Sequence, residues 1–188
     1  MRFDAVPKPP TVADRPQDGR GYPVPAITPF EDGQPQFART DYARSADCAV
    51  RRLCSVCGTA MPAGPVWRVV GAGEAEAIGA ARAAGRPYRN LQPTWEGPGH
   101  RACMLYASMV CPYLGRPQAR RRVLDRGTAR GATGAVVGFA DYEYAVLESQ
   151  VLFRFVDVVE FLPHDDAATT HLAALETELA SRPPKERS

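Results

Sequence analysis

The chain has 188 residues, 45% of them apolar and 23% charged, with a formal net charge of +2. That is enough chain to bury a core, and too balanced a charge for the global positive field of a dedicated nucleic-acid binder, so any such contact has to be local. Five cysteines are an odd number, Pro7, Pro9 and Pro10 stand where a signal peptide needs an apolar run, and no 18-residue apolar stretch occurs, so a reduced, cytoplasmic protein without a membrane partner is the expectation.

Residues 1–21 are rich in Pro, Asp, Gly and Arg without periodicity and read as a flexible arm. Residues 24–30 and 34–39 read as two short strands about the turn Glu31-Asp32-Gly33, held to edge positions by Pro25, Pro29 and Pro35. Asp41 is placed to cap a helix over 42–52, with Tyr42, Ala46, Ala49 and Leu53 as its apolar face. Residues 66–70 predict a strand, and 74–84 a short Ala-rich helix ended by Gly85 and Pro87. A loop over 90–99 carries Pro93 and Pro98. A helix then opens at His100 and runs to about Val110, stopped by Pro112.

Residues 115–134 read as a polar, Arg-rich connection. Residues 135–147 and 150–162 predict a β-hairpin turning at Glu148-Ser149, its second strand carrying Val151, Phe153, Phe155, Val159 and Phe161 on one face. Asp165 or Asp166 is placed to cap a last helix with Ala168, Leu172, Leu175 and Leu179 on its apolar side, and 181–188 reads as a disordered tail. The expected fold is α+β. A small module with its hairpin and helix spans 22–114, and the hairpin plus helix of 135–180 packs on the same core.

The chemistry is concentrated in two pairs. Cys54 and Cys57 form a C-x-x-C knuckle in Leu53-Cys-Ser-Val-Cys-Gly58; His100 and Cys103 form an H-x-x-C pair in Gly99-His-Arg-Ala-Cys-Met104, with 42 residues between the pairs. Zinc takes thiolates and imidazoles tetrahedrally, and a turn facing a helix start converges four of them on one point. The helix N-terminus also favours a thiolate at Cys103. A thioredoxin-like redox pair would open a helix after Cys57, whereas Gly58, Pro62, Gly64 and Pro65 oppose one. Cys111 lies eight residues and about 12 Å along the helix from Cys103, so it reads, like Cys48, as core packing. A four-cysteine iron–sulfur cluster from Cys54, Cys57, Cys103 and Cys111 stays open as an alternative and requires a loop in place of that helix.

Weaker signals have blander readings. Val70-Gly-Ala-Gly-Glu-Ala-Glu76 starts like a dinucleotide turn but places Glu74 and Glu76 toward a pyrophosphate. Arg116, Arg120, Arg121, Arg122, Arg126 and Arg130 form the densest basic stretch, a solvated loop or a contact for phosphate or nucleic acid, for which Arg116, Arg120, Arg121 and Arg122 are the candidate residues. His164-Asp165-Asp166 reads as a helix cap, and His171 falls on the polar side of the last helix.

The run from Gly21-Tyr-Pro-Val-Pro through Asp32-Gly33, Cys54-Ser-Val-Cys-Gly58, Gly99-His-Arg-Ala-Cys103 and Cys111-Pro-Tyr-Leu114 resembles a group of uncharacterised small C-x-x-C/H-x-x-C proteins of high-GC bacteria and their phages. The resemblance covers residues 21–114 and implies a metal centre but no activity; residues 73–85 depart from it as an insertion. Knuckle, strand and helix with ligands in its first turn also resemble the treble-clef module of HNH-type nucleases. That class needs a general-base His and further His or Asn ligands, and only His164 and His171 remain once His100 is used, so the likeness extends to scaffold alone. The resulting expectation is a non-catalytic protein with structural zinc that binds protein or nucleic acid. The alternatives are a metalloenzyme with three ligands and an open position, with Glu74, Glu76 or Glu96 as base, or an iron–sulfur or thiol redox protein.

Overall fold

The computed structural model of the chain describes residues 3–88, 93–111, 134–165 and 168–181. These described residues are mixed α+β, with two antiparallel sheets. In chain order the elements are helix α1 (Pro10–Ala13), strands β1 (Phe30–Glu31) and β2 (Gln34–Pro35), helix α2 (Tyr42–Val50), strand β3 (Val66–Val70), helices α3 (Ala72–Ala83) and α4 (Arg101–Val110), strands β4 (Ala135–Val146) and β5 (Val151–Pro163), and helix α5 (Thr169–Ala180).

The larger sheet has the order β3-β4-β5. β4 and β5 are long antiparallel neighbours, with Tyr144 opposite Phe153 and Val146 opposite Val151. β3 lies on the other edge of β4, with Val66 opposite Phe139 and Val70 opposite Ala135. A strand from the cysteine-bearing half is therefore hydrogen-bonded to a strand of the C-terminal half, and one core serves both. The alternation that reads as strand is also the alternation that buries: Val66, Arg68 and Val70 face inward on β3, and Val151, Phe153 and Phe155 on β5.

α4 lies beneath this sheet and is buried on nearly every side, through Ala102, Cys103, Met104, Leu105, Tyr106, Ser108 and Val110. A helix apolar all round belongs in a core. Phe139, Phe153, Ile78, Leu105 and Leu175 are among the largest fully buried side chains, and each contributes about 1.5–3 kcal/mol by leaving water. Phe139 and Phe155 add an edge-tilted ring pair at 4.9 Å.

Several sequence expectations are corrected. Residues 4–21 are not a free arm: Val6, Pro9 and Val12 are buried, and Gln17 bridges Pro23. The N-terminal strands shrink to two residues each about Asp32 and Gly33, because three prolines remove the amide donors a longer ladder requires. Asp41 does cap α2, accepting from the Arg44 amide at 3.0 Å. The buried face of α2 is Ser45, Cys48 and Ala49, while Tyr42 points outward, a rotation that places a cysteine inside. α3 starts two residues early at Ala72.

At α5, Asp165 accepts from the Thr169 and Thr170 amides, both at 2.8 Å. These bonds and those from the two threonine hydroxyls hold its carboxyl below the usual range, with Thr170 the larger influence. Ala168 rather than an aspartate occupies the N-cap position, in a left-handed conformation. Arg116, Arg120, Arg121, Arg122, Arg126, Arg130, Asp166 and the tail from 182 lie outside the described residues. Among those that are described, no helix is long and apolar enough to cross a membrane.

Candidate metal centre

Cys54 and Cys57 sit on a tight turn braced by backbone hydrogen bonds. Leu53 bridges Ala60, the Cys54 amide donates to Thr59 O at 2.9 Å, and the Gly58 amide donates to Cys54 O at 2.8 Å. Gly58 takes φ +79°, the left-handed geometry that lets the chain reverse after the second thiol. On the opposite side His100 is the N-cap residue of α4 in extended conformation, and Cys103 lies in the first turn. Gly99, immediately before, exchanges two backbone hydrogen bonds of 2.9 Å with Trp67 of β3. The sheet thus fixes the height at which His100 enters the site.

The side chains converge. One donor atom each from Cys54, Cys57, His100 and Cys103 lies within 4.8 Å of every other, and this is a group that could hold a metal ion. His100 Nδ1 is 3.5 Å from Cys57 Sγ and 3.9 Å from Cys103 Sγ. Tetrahedral zinc with bonds of about 2.3 Å to sulfur and 2.05 Å to nitrogen sets sulfur–nitrogen edges of about 3.6 Å, a value that these two distances bracket. Cys54 and Cys103 are at most 1% exposed and Cys57 is 5% exposed.

The outer contacts fix the donors' chemistry. His100 Nε2 is 3.1 Å from Ala60 O; a carbonyl can only accept, so Nε2 carries a proton and Nδ1 is the ring nitrogen left to face the thiols. Thr59 Oγ1 lies 3.1 Å from Cys57 Sγ, and Thr11 Oγ1 lies 3.7 Å from Cys103 Sγ. As protein groups alone, three thiols this close cannot all ionise. Hydrogen bonds from Cys103 and Cys54 pull Cys57 down, Cys54 and Cys57 push Cys103 up, and the same two cysteines raise His100 to about 10. A divalent cation reverses that conflict, because thiols deprotonate outright on coordination.

The other cysteines stand apart from this group. Cys48 is buried in the core and its thiol is pushed up to about 11 by burial, the inert state of a packing cysteine. Cys111 is the C-cap of α4, a full helix length from Cys103, as the helical reading requires.

Glu74 and Glu96, two of the carboxylates that a catalytic site would draw on, both pair with Arg68. Its Nη2 meets Glu74 and its Nη1 lies 3.2 Å from Glu96, while the guanidinium stacks 4.9 Å over Phe155. Arg68 is 3% exposed and was not singled out by sequence; only its position at the centre of an apolar strand hinted that it needed partners. Arg101, between the two ligands of the second pair, was missed as well. It donates to both oxygens of Glu160, at 2.7 and 2.8 Å, and to Ala174 O at 3.2 Å, and Trp67 Nε1 donates to the same carboxylate at 2.7 Å. A cation in the first turn of a helix opposes the helix dipole, which was the available signal that Arg101 has an acidic partner.

His171 is not on a polar face: it is 1% exposed, with Nε2 3.0 Å from Leu162 O and Nδ1 2.9 Å from Ser108 Oγ. Burial lowers its pKa. No family model matches the chain, and neither a curated protein nor a solved structure shows significant similarity to it.

Proposed function

We propose that Cys54, Cys57, His100 and Cys103 hold one structural Zn2+ and that the chain is a non-catalytic binding or adaptor module. The observation that carries this reading is the donor set: four candidate donors within 4.8 Å of one another, three of them buried thiols, would on one tetrahedral ion leave no position for water or substrate. An iron–sulfur cluster is bulkier than one ion and prefers four thiolates, whereas here the fourth donor is an imidazole and all donors fall within 4.8 Å. The knuckle, β3 and the ligand-bearing start of α4 support a treble-clef-like, HNH-like scaffold used without nuclease chemistry. Nucleic acid is the partner class we favour, on the density of arginine at Arg116, Arg120, Arg121 and Arg122.

Metal analysis of protein purified without chelator, combined with thiol titration, tests the centre. The expected result is one zinc per chain, with Cys54, Cys57 and Cys103 unreactive until a chelator is added. Absence of stoichiometric metal, or iron with visible absorbance, overturns it. A cobalt-substituted sample whose spectrum responds to added small anions would show an open coordination position and return the catalytic alternative.

A further inference from the structure

Residues 9–27 wrap around the metal centre. The Val24 amide donates to Pro16 O at 2.7 Å, and the Ala26 amide donates to Val56 O of the knuckle at 2.9 Å. Val12 and Val24 are at most 1% exposed. Two side chains of this segment address the donors. Thr11 Oγ1 approaches Cys103 Sγ at 3.7 Å. Arg15 donates from Nε to Val24 O at 2.9 Å and lies against the knuckle, since a Cβ at Gly58 would stand 3.9 Å from its Nη1. Burial and the neighbouring Arg44 guanidinium lower its pKa, and the Cys57 and Cys48 thiols oppose that shift.

Three thiolates, a neutral imidazole and a divalent ion sum to one net negative charge, and a buried charge needs a partner. Arg15 is placed to be that partner, and the Thr11 hydroxyl is placed to donate to the Cys103 thiolate. Thr11 and Arg15 thus tie the segment to Cys103 and to the knuckle, the groups that would hold the ion. We propose that Thr11 and Arg15 are positioning residues of the metal centre and that docking of residues 9–24 and metal occupancy are linked, each favouring the other by the same factor. The linkage rests on the zinc reading above.

The linkage has a surface consequence. A pocket of about 70 Å3, lined among others by Val12, Arg15, Tyr22, Val24, Val56 and Val110, lies between this segment and α4. It exists only while the segment is docked, so metal loss removes one surface and uncovers the apolar wall of Val56 and Val110.

Zinc transfer from the full-length, zinc-loaded chain to an excess of chromophoric chelator tests this. Thr11→Val and Arg15→Met each bind one zinc, and release is about 10- to 100-fold faster, the usual effect of removing an outer contact. Arg20→Met, in the same segment but paired with Asp18, stays within about twofold of the parent chain. Unchanged release in Thr11→Val and Arg15→Met overturns the linkage while leaving the zinc reading intact; a parent chain without zinc sinks the reading itself. Trypsin provides a second readout that needs no variant. Lys8 and Arg15 precede prolines, so Arg20 is the reporting site, and chelation accelerates cleavage there about tenfold while cleavage after Arg154 in β5 is unchanged. Equal acceleration at both sites, or at neither, overturns the proposal.

Discussion

Gly99→Ala isolates a steric demand of the metal centre. Gly99 has ordinary backbone geometry, because it is absent from the positive-φ positions, so alanine costs nothing in conformation. The added Cβ would lie 3.1 Å from Cys54 Sγ and 2.5 Å from Met104 Cε. The methionine end can swing aside. Cys54 Sγ has to retreat by about 0.5 Å to reach normal contact, while metal–ligand distances tolerate only about ±0.2 Å. The backbone cannot retreat in its place, since Gly99 is fastened to Trp67 by two hydrogen bonds of 2.9 Å.

One thiolate is therefore displaced. Zinc affinity is expected to fall about 100-fold, which is about 2.7 kcal/mol, as measured by competition with a chromophoric chelator. The thiolate-to-metal bands of the cobalt form weaken in parallel. Gly73→Ala is the control: nothing lies within 4 Å of its Cβ and it sits in α3, so it should add about 0.5–1 kcal/mol of stability and leave zinc affinity unchanged. Wild-type affinity and an unchanged cobalt spectrum in Gly99→Ala would refute the placement of Cys54 in the ligand set. Recovery in Gly99→Ala/Met104→Ala would assign the defect to methionine packing.

Burial lowers the pKa of His171, so the unfolded chain binds its proton first. The associated stability is fully present above about pH 6.5, the unfolded value, and declines below it by at most about 1.4 kcal/mol per pH unit; urea titrations between pH 7.5 and 5.5 should show this extra slope in the parent chain and not in His171→Gln, and equal slopes would refute it. Arg68→Met leaves Glu74 and Glu96 facing an apolar chain, and because both carboxylates keep some solvent the expected loss is about 2–3 kcal/mol, below the range for a fully buried pair; a loss under about 0.5 kcal/mol would show that the pairing is incidental. Replacing Arg120, Arg121 and Arg122 by alanine should weaken nucleic-acid binding at all sequences alike and reduce the salt slope by about 2–3, and an unchanged slope would remove that stretch from the interface.

The Cys/His group was legible because metal-ligand spacing is local in sequence: two spacings and a helix start suffice to name four candidate donors. Secondary structure was legible where a local signal bounded it, as in α4 ahead of Pro112 and in the first half of β5, where Val151, Phe153 and Phe155 alternate inward; at the register shift opposite Gly138 and Phe139 the strand turns Val159 outward, 50% exposed, against the expected face. What failed was orientation and long-range pairing. His171 and Leu172 sit side by side in α5, and the choice of which is buried depends on Ser108 and Leu162 O, a polar slot that apolar periodicity cannot reveal. The N-terminal segment failed for a related reason. Val6 and Val12 are too few to make a pattern, and they are buried because the knuckle and α4 present a surface to them.

The position of the centre also argues for structure over chemistry. Cys54 and Cys57 precede β3, and His100 and Cys103 follow the loop that returns from α3, so an ion bound to all four closes a long loop whose entropy would otherwise favour opening. Its ends are already braced by the Gly99–Trp67 pairing and by Arg101 on Glu160. Arg101 is held by groups on β5 and α5. An ion in this setting staples the cysteine half to a sheet that β4 and β5 pair independently of it. Chelation should accordingly loosen the knuckle, residues 9–24 and the start of α4 first, while β4 and β5 retain their amide protection; simultaneous exchange of every amide would show that the metal holds the entire fold.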